Sequence, residues 1–226
     1  MNWARCLNAS SCGGTAPSGA RFCRACRESL AAVLEPRGYG ADNIEGLPLL
    51  HGAEDTGTWA QLLRRAKRQS WGIWDPGLES FYREICQRWS GELARLRPDA
   101  LVWLPASPAR VWRETDLAAH CALWLARDIG VPAPRVLRRK WGRLSRAQKG
   151  RSRRERWASL VRKGDWHWDD EAEQRWSREG GGRRVLLIDD LCVTGASLLK
   201  ARAYLEARGY AAVGAWVLAR RNHTPA

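Results

Sequence analysis

The stretch Arg184-Val185-Leu186-Leu187-Ile188-Asp189-Asp190-Leu191-Cys192-Val193-Thr194-Gly195-Ala196-Ser197 decides how this chain is read. Residues 185–188 form an unbroken apolar run, as expected of a parallel strand covered on both faces. Residues 197–205 carry the spacing of an amphipathic helix. Between them lie two adjacent carboxylates and a turn that contains glycine and two hydroxyl residues.

At a strand-to-helix junction the first backbone N–H groups of the helix have no partner within the helix and point into the turn, which makes an anion site. Gly195 lets the backbone approach a ligand closely, and Thr194 and Ser197 add hydroxyl donors. Asp189 and Asp190 fall at the carboxyl end of the strand, where open α/β sheets bind their ligands. Carboxylates repel phosphate, so their place beside an anion cradle fits acceptance of hydrogen bonds from sugar hydroxyls, or a share in holding Mg2+. The expected ligand is a phosphorylated sugar.

Two other uses of an acid-tipped strand do not fit. A nucleotide triphosphatase needs a G-x-x-x-x-G-K-[ST] loop, and the sequence has none. A receiver domain needs more chain after Asp190 than remains here.

The 226 residues, 45% of them hydrophobic, suffice for one sizeable core and a small appendage. No run approaches the length of a membrane span, and the first residues lack the apolar core of a signal peptide, so a cytoplasmic protein is expected. The net charge of +14 suits an anionic partner, whether nucleic acid, an acidic surface or a phosphate-rich substrate. The excess of Arg suits bidentate phosphate recognition, and it equally suits the codon bias of a GC-rich genome.

Cys6, Cys12, Cys23 and Cys26 cluster at the start of the chain, whereas Cys86, Cys121 and Cys192 fall inside expected elements and read as small core residues. Cys23-Arg24-Ala25-Cys26 has the knuckle spacing that lets two thiolates share a tetrahedral Zn2+. Cys6 and Cys12 would complete the set across the Gly/Ser-rich residues 13–19, although their own spacing is wider than usual. Free thiols in a loose arm are the alternative.

Residues 1–34 are thus expected to form a zinc-binding segment, 35–77 a linker and a basic helix over 58–69, and 78–226 the main domain. Within the last, residues 78–97 show core-facing helical spacing, 100–104 a second buried strand, 117–129 a helix stopped by Gly130, and Val136-Leu137 a short third strand. Residues 138–182 are rich in Arg, Gly and Trp without a long apolar stripe, and read as a mobile basic excursion that covers an anionic substrate or simply faces solvent. A final strand is expected over 212–219. Strands alternating with helices indicate a mostly parallel α/β sheet.

The loop resembles the phosphoribosyl-pyrophosphate (PRPP) loop of type I phosphoribosyltransferases: four apolar residues, two acids, an apolar residue, any residue, then Thr/Ser-Thr-Gly-x-Thr/Ser, with Val193 in place of one hydroxyl. Adding the cysteine arm, the segment from His51-Gly52-Ala53-Glu54 to Lys67, Leu104-Pro105-Ala106-Ser107-Pro108, residues 148–156 (QKGRSRRER) and Ala219-Arg220, the chain resembles the ComF family, competence-related proteins with a zinc segment ahead of a type I phosphoribosyltransferase domain. The resemblance implies that Asp189 and Asp190 serve the ribose and catalysis, and that Thr194, Gly195, Ala196 and Ser197 bind the 5'-phosphate. It also implies that Pro105, Ala106 and Ser107 form the pyrophosphate loop, and that Arg139, Lys140, Gln148, Lys149 and Arg151 form a basic hood. Zn2+ on the four cysteines, Mg2+ with PRPP, and single-stranded DNA or DNA-uptake proteins as partners are implied in the same way. Arg113-Glu114-Thr115-Asp116-Leu117 stands where the family usually has Arg-Gly-Phe-Asn-Gln, and Ser159 where it commonly has Asn. These departures keep open a second function, a non-catalytic adaptor that retains the PRPP-type fold.

Overall fold

The computed structural model describes residues 3–7, 9–17, 20–34, 42–67, 76–106, 116–139 and 166–221. Their elements run β1 (Trp3–Arg5), α1 (Ala9–Cys12), β2 (Thr15–Pro17), α2 (Arg24–Leu34), β3 (Asp42–Ile44), β4 (Leu47–Glu54), α3 (Gly57–Ala66), α4 (Pro76–Ala94), β5 (Ala100–Trp103) and α5 (Leu117–Ile129). They continue with β6 (Leu137–Arg139), β7 (Trp166–Trp168), α6 (Asp170–Arg178), β8 (Arg184–Cys192), α7 (Ala196–Glu206) and β9 (Ala211–Arg220).

The central sheet has five strands in the order β3-β4-β9-β8-β5. Its β4, β9, β8 and β5 are mutually parallel, and only the edge strand β3 is antiparallel. Because side chains alternate across a strand, β8 feeds two cores. Leu186 and Ile188 pack with α3, α4 and α5 through Trp59, Leu63, Ile85, Trp89 and Cys121, whereas Val185 and Leu187 pack with α7 through Leu198, Ala201 and Leu205. This is the doubly covered strand that its unbroken apolar run requires.

Two stretches depart from expectation. Within the expected linker, residues 42–54 form a hairpin whose second strand, β4, pairs in parallel with β9 in the sheet interior. Its Gly52 is needed there, since a Cβ would stand 2.8 Å from the Leu218 carbonyl oxygen. The expected third strand near Val136-Leu137 does not join the central sheet. It is β6, paired antiparallel with β7 as a separate ribbon. The far end of the basic excursion is correspondingly ordered as β7 and α6, the latter capped by Asp169, whose side chain accepts from Ala172 N–H at 3.0 Å.

The cysteine segment is docked against the helices of the first core. Phe22 meets Phe81 edge-on at 4.9 Å between ring centroids, and Arg21 pairs with Glu84 at 2.9 Å. Among the described residues no helix is long and apolar enough to cross a membrane.

Candidate functional site

The carboxyl ends of β5, β8 and β9 lie side by side. Trp103 is in register with Ile188, Asp189 with Val217, and Cys192 with Arg220. At this edge the backbone leaves β8, turns at Gly195 in the left-handed region (φ 74°), and enters α7. The first helical bond runs from Leu199 N–H to the Gly195 carbonyl at 3.0 Å, so the amides of Ser197 and Leu198 precede the helical ladder. The first turn of α7 carries no acid, which leaves its positive dipole end available to an anion. Thr194 Oγ1 accepts from Ala196 N–H at 3.4 Å, folding the hydroxyl into the turn.

Strand alternation separates the two acids. Asp189 shares the α7 face with Val185 and Leu187, and its carboxylate turns back to accept the Asp190 N–H at 2.7 Å. Asp190 points to the opposite face, where it is 7% exposed and receives Lys67 Nζ at 2.8 Å. Lys67 closes α3 and was not anticipated as a site residue. On the α7 face, burial and the Asp189 charge push the Cys192 thiol up to about 11, with the Gly195 N–H acting in the opposite sense. Burial likewise pushes Tyr82 and Cys121 well above their usual ranges, with Asp190 adding to both.

Pro105 and Ala106 follow β5 directly and are half-buried, and Leu104 N–H donates to the Ile188 carbonyl at 2.9 Å, which fixes this turn beside the acids. Asp116 caps α5 by accepting from Ala119 N–H at 3.3 Å, so one of the two carboxylates that depart from the family pattern serves a helix end. Arg139 ends β6, and that ribbon packs on α7 through a hydrogen bond from the Tyr204 hydroxyl to the Trp166 carbonyl at 3.2 Å. Ser107, Lys140, Gln148, Lys149, Arg151 and Ser159 lie outside the described residues.

Further groups at the same edge were missed as site neighbours. His51 is in register with Val217, as is Asp189, so the three occupy one row across β4, β9 and β8. His51 Nε2 lies 3.6 Å from Asp42, which also pairs with Arg220. Burial lowers the His51 pKa, partly opposed by the Glu54 charge and the Ala53 carbonyl. Both His51 and Arg220 belong to segments already singled out in the sequence; what one chain of letters does not show is that β4 and β9 lie next to β8.

The second constellation is the cysteine cluster. The sulfur atoms of Cys6, Cys12, Cys23 and Cys26 all lie within 4.8 Å of one another, close to the ~3.8 Å edge of a tetrahedron with zinc–sulfur bonds of ~2.3 Å. The wide spacing of Cys6 and Cys12 is taken up by the turn at Leu7 and the short α1, which return Cys12 to the knuckle. Gly14 N–H donates to Cys12 Sγ and Cys23 N–H to Cys6 Sγ, each at 3.3 Å, the pattern that stabilises thiolates. A Cβ at Gly14 would stand 2.9 Å from Cys23 Sγ, so the chain leaves room for the sulfurs there. The Cys26 backbone N–H, against desolvation and with help from the neighbouring thiols, lowers the Cys23 pKa to about 7. The donor set and its geometry fit a structural metal site of the zinc type.

Residues 161–226, which run from just before β7 to the chain end, match the family model described as the phosphoribosyl transferase domain. The match contains the whole of β8, the Gly195 turn and α7. No curated protein matches the chain. The C-terminal part of the molecule is therefore a phosphoribosyltransferase domain, with a four-cysteine cluster at the opposite end of the sequence.

Proposed function

We propose that this protein binds PRPP with Mg2+ and transfers its phosphoribosyl group to an acceptor. The observation that carries this reading is the Gly195 turn: a left-handed glycine opening a helix without acids in its first turn, five positions after Asp190 at the carboxyl end of a sheet strand. In this reading the amides of Ala196 and Ser197, with the Thr194 and Ser197 hydroxyls, hold the 5'-phosphate. Asp189 accepts from ribose hydroxyls, and Asp190, neutralised by Lys67, completes the acid pair from beneath. Pro105, Ala106 and Ser107 approach the pyrophosphate from β5, while Arg139, Lys140, Gln148, Lys149 and Arg151 supply donors and positive charge to it.

Transfer passes through an oxocarbenium-like state at the anomeric carbon, comparable to that of glycoside cleavage. Mg2+, when bound, adds neutralisation of the departing pyrophosphate. The contribution of the chain is to hold the sugar by its phosphate, to place carboxylate charge beside a carbon that becomes electron-poor, and to offer basic groups to the leaving group.

The cysteine module ahead of such a domain is the ComF arrangement, and we extend the proposal to Zn2+ on Cys6, Cys12, Cys23 and Cys26 and to a role in DNA uptake, with the net charge of +14 facing single-stranded DNA or uptake proteins. A pyrophosphate-release assay with PRPP, Mg2+ and a panel of nucleobases tests the catalytic half. Release that depends on an acceptor supports transfer. Binding of PRPP without release for any acceptor points instead to the adaptor that retains the fold.

A further inference from the structure

We propose that α3 is a strut through which the cysteine module positions the acid pair, with Lys67 as the positioning residue for Asp190. This rests on the reading above of Asp189 and Asp190 as the acid pair of the ribose site, but its structural basis is independent of it. Two contacts define the strut. In the last turn of α3, the Arg65 guanidinium donates to the Leu7 carbonyl, next to the ligand-type residue Cys6. Two residues on, at the same C-terminal end of α3, Lys67 Nζ meets Asp190 Oδ1 at 2.8 Å, with only 15% and 9% of the two side chains exposed.

The body of the helix, which precedes both contacts, is itself held by packing. Trp59, Leu62, Leu63 and Ala66 lie in the same buried cluster as Cys6, Leu7, Cys23, Cys26 and Leu30 of the module and as Leu186 and Ile188 of β8. Trp59 Nε1–H donates to the Leu218 carbonyl at 3.1 Å, pinning the first turn to the strand next to β8. A packed helix moves as a unit, so a shift of the module at Leu7 is passed to Lys67.

The chemistry of the far contact makes this consequential. A buried carboxylate keeps its direction only while its cation stays in place, and removal of one partner of such a pair leaves an uncompensated charge in a low-dielectric site. Lys67 therefore sets where Asp190 points, and through the Asp190 N–H bonded to the Asp189 carboxylate it also bears on the second acid. The metal module is placed far from the loop in sequence, and α3 gives it a physical route to that loop.

A double-mutant cycle on the full-length, metal-loaded protein tests the strut. Lys67→Met, Arg65→Met, the pair together, and the charge-keeping Lys67→Arg are compared by hydrogen exchange of the peptide spanning β8 and the Gly195 turn, and by PRPP affinity, with metal content and circular dichroism as controls of folding. We expect Lys67→Met to speed exchange there roughly tenfold, the size of an ordinary coupling within one network. Lys67→Arg should restore most of the protection. Arg65→Met should give a smaller increase with zinc retained, and should add nothing once Lys67 is gone. Independent, multiplying effects of the two substitutions, or exchange at the turn that ignores Arg65, would overturn the strut. Because exchange is read without ligand, a wild-type protein that fails to bind PRPP would reject the ligand assignment alone and leave this test intact.

Discussion

Ile44 rests directly on Gly195: a Cβ at the glycine would stand 2.7 Å from both Cδ1 and Cγ2 of the isoleucine. The edge hairpin β3–β4 thus presses on the turn that opens α7, and a second tie runs from Arg202 Nη1 to the Glu45 carbonyl at 2.9 Å. The turn is constrained twice, by its positive φ and by this neighbour.

Gly195→Ala is accordingly expected to lose stability by about 1–2 kcal/mol for the left-handed backbone, plus a further loss from the contact with Ile44. Combining it with Ile44→Ala should relieve the contact and leave the backbone term. Chemical denaturation of the single and double variants measures this, and a double variant no more stable than Gly195→Ala would show that Ile44 yields without cost.

Asp189→Asn and Asp190→Asn should separate. The first should weaken PRPP binding while leaving unfolding nearly unchanged, because Asp189 is only half-buried. The second should also cost about 1–3 kcal/mol of stability, as it weakens the charged hydrogen bond between the buried Asp190 and Lys67. Equal unfolding free energies for the two variants would contradict the division of the acids between faces.

The Gly195 turn and its strand were legible because their signals are local: an apolar run, two acids and a glycine within fourteen positions. The cysteine cluster was legible for the same reason, through its knuckle spacing. β4 was not, because Pro48, His51 and Gly52 interrupt its pattern and read as punctuation, whereas the sheet needs Gly52 for the close approach of Leu218. Lys67 was hidden for a different reason. A cation at the end of a basic helix reads as a solvated group, and only the packing of α3 on the sheet brings it to Asp190, 123 positions away.

Thiol chemistry should follow the electrostatics of each site. In metal-free protein, thiolate is the reactive form, so Cys23 should gain reactivity as pH rises through about 7, while Cys192, held at about 11, stays unreactive at pH 8. Conversely, zinc uptake should fall as pH drops below 7 and protons compete for the Cys23 thiolate. Alkylation followed by peptide mass spectrometry across pH 6 to 9 checks the order (the window brackets the ~7 value), and faster modification of Cys192 than of Cys23 would refute it.

Purified protein should carry about one zinc ion per chain, and Cys23→Ser should release it. Elemental analysis of protein prepared without chelators decides this. Four freely titratable thiols among Cys6, Cys12, Cys23 and Cys26, with no metal, would count against the site.

Arg139→Ala and Lys149→Ala should weaken PRPP more than ribose 5-phosphate, because the basic groups are assigned to the pyrophosphate that only PRPP carries. Loss of affinity for both ligands alike would move these residues away from the leaving group.

The most direct measurement is isothermal titration of the zinc-loaded protein with PRPP in the presence of Mg2+, beside the Gly195→Val variant. The wild type should show saturable binding at one site per chain. Binding should be lost in the variant, whose branched side chain collides with Ile44 and strains the left-handed turn that presents the first amides of α7. Absence of any binding heat from folded, zinc-loaded wild type, or undiminished affinity in Gly195→Val, would contradict PRPP binding at the Gly195 turn.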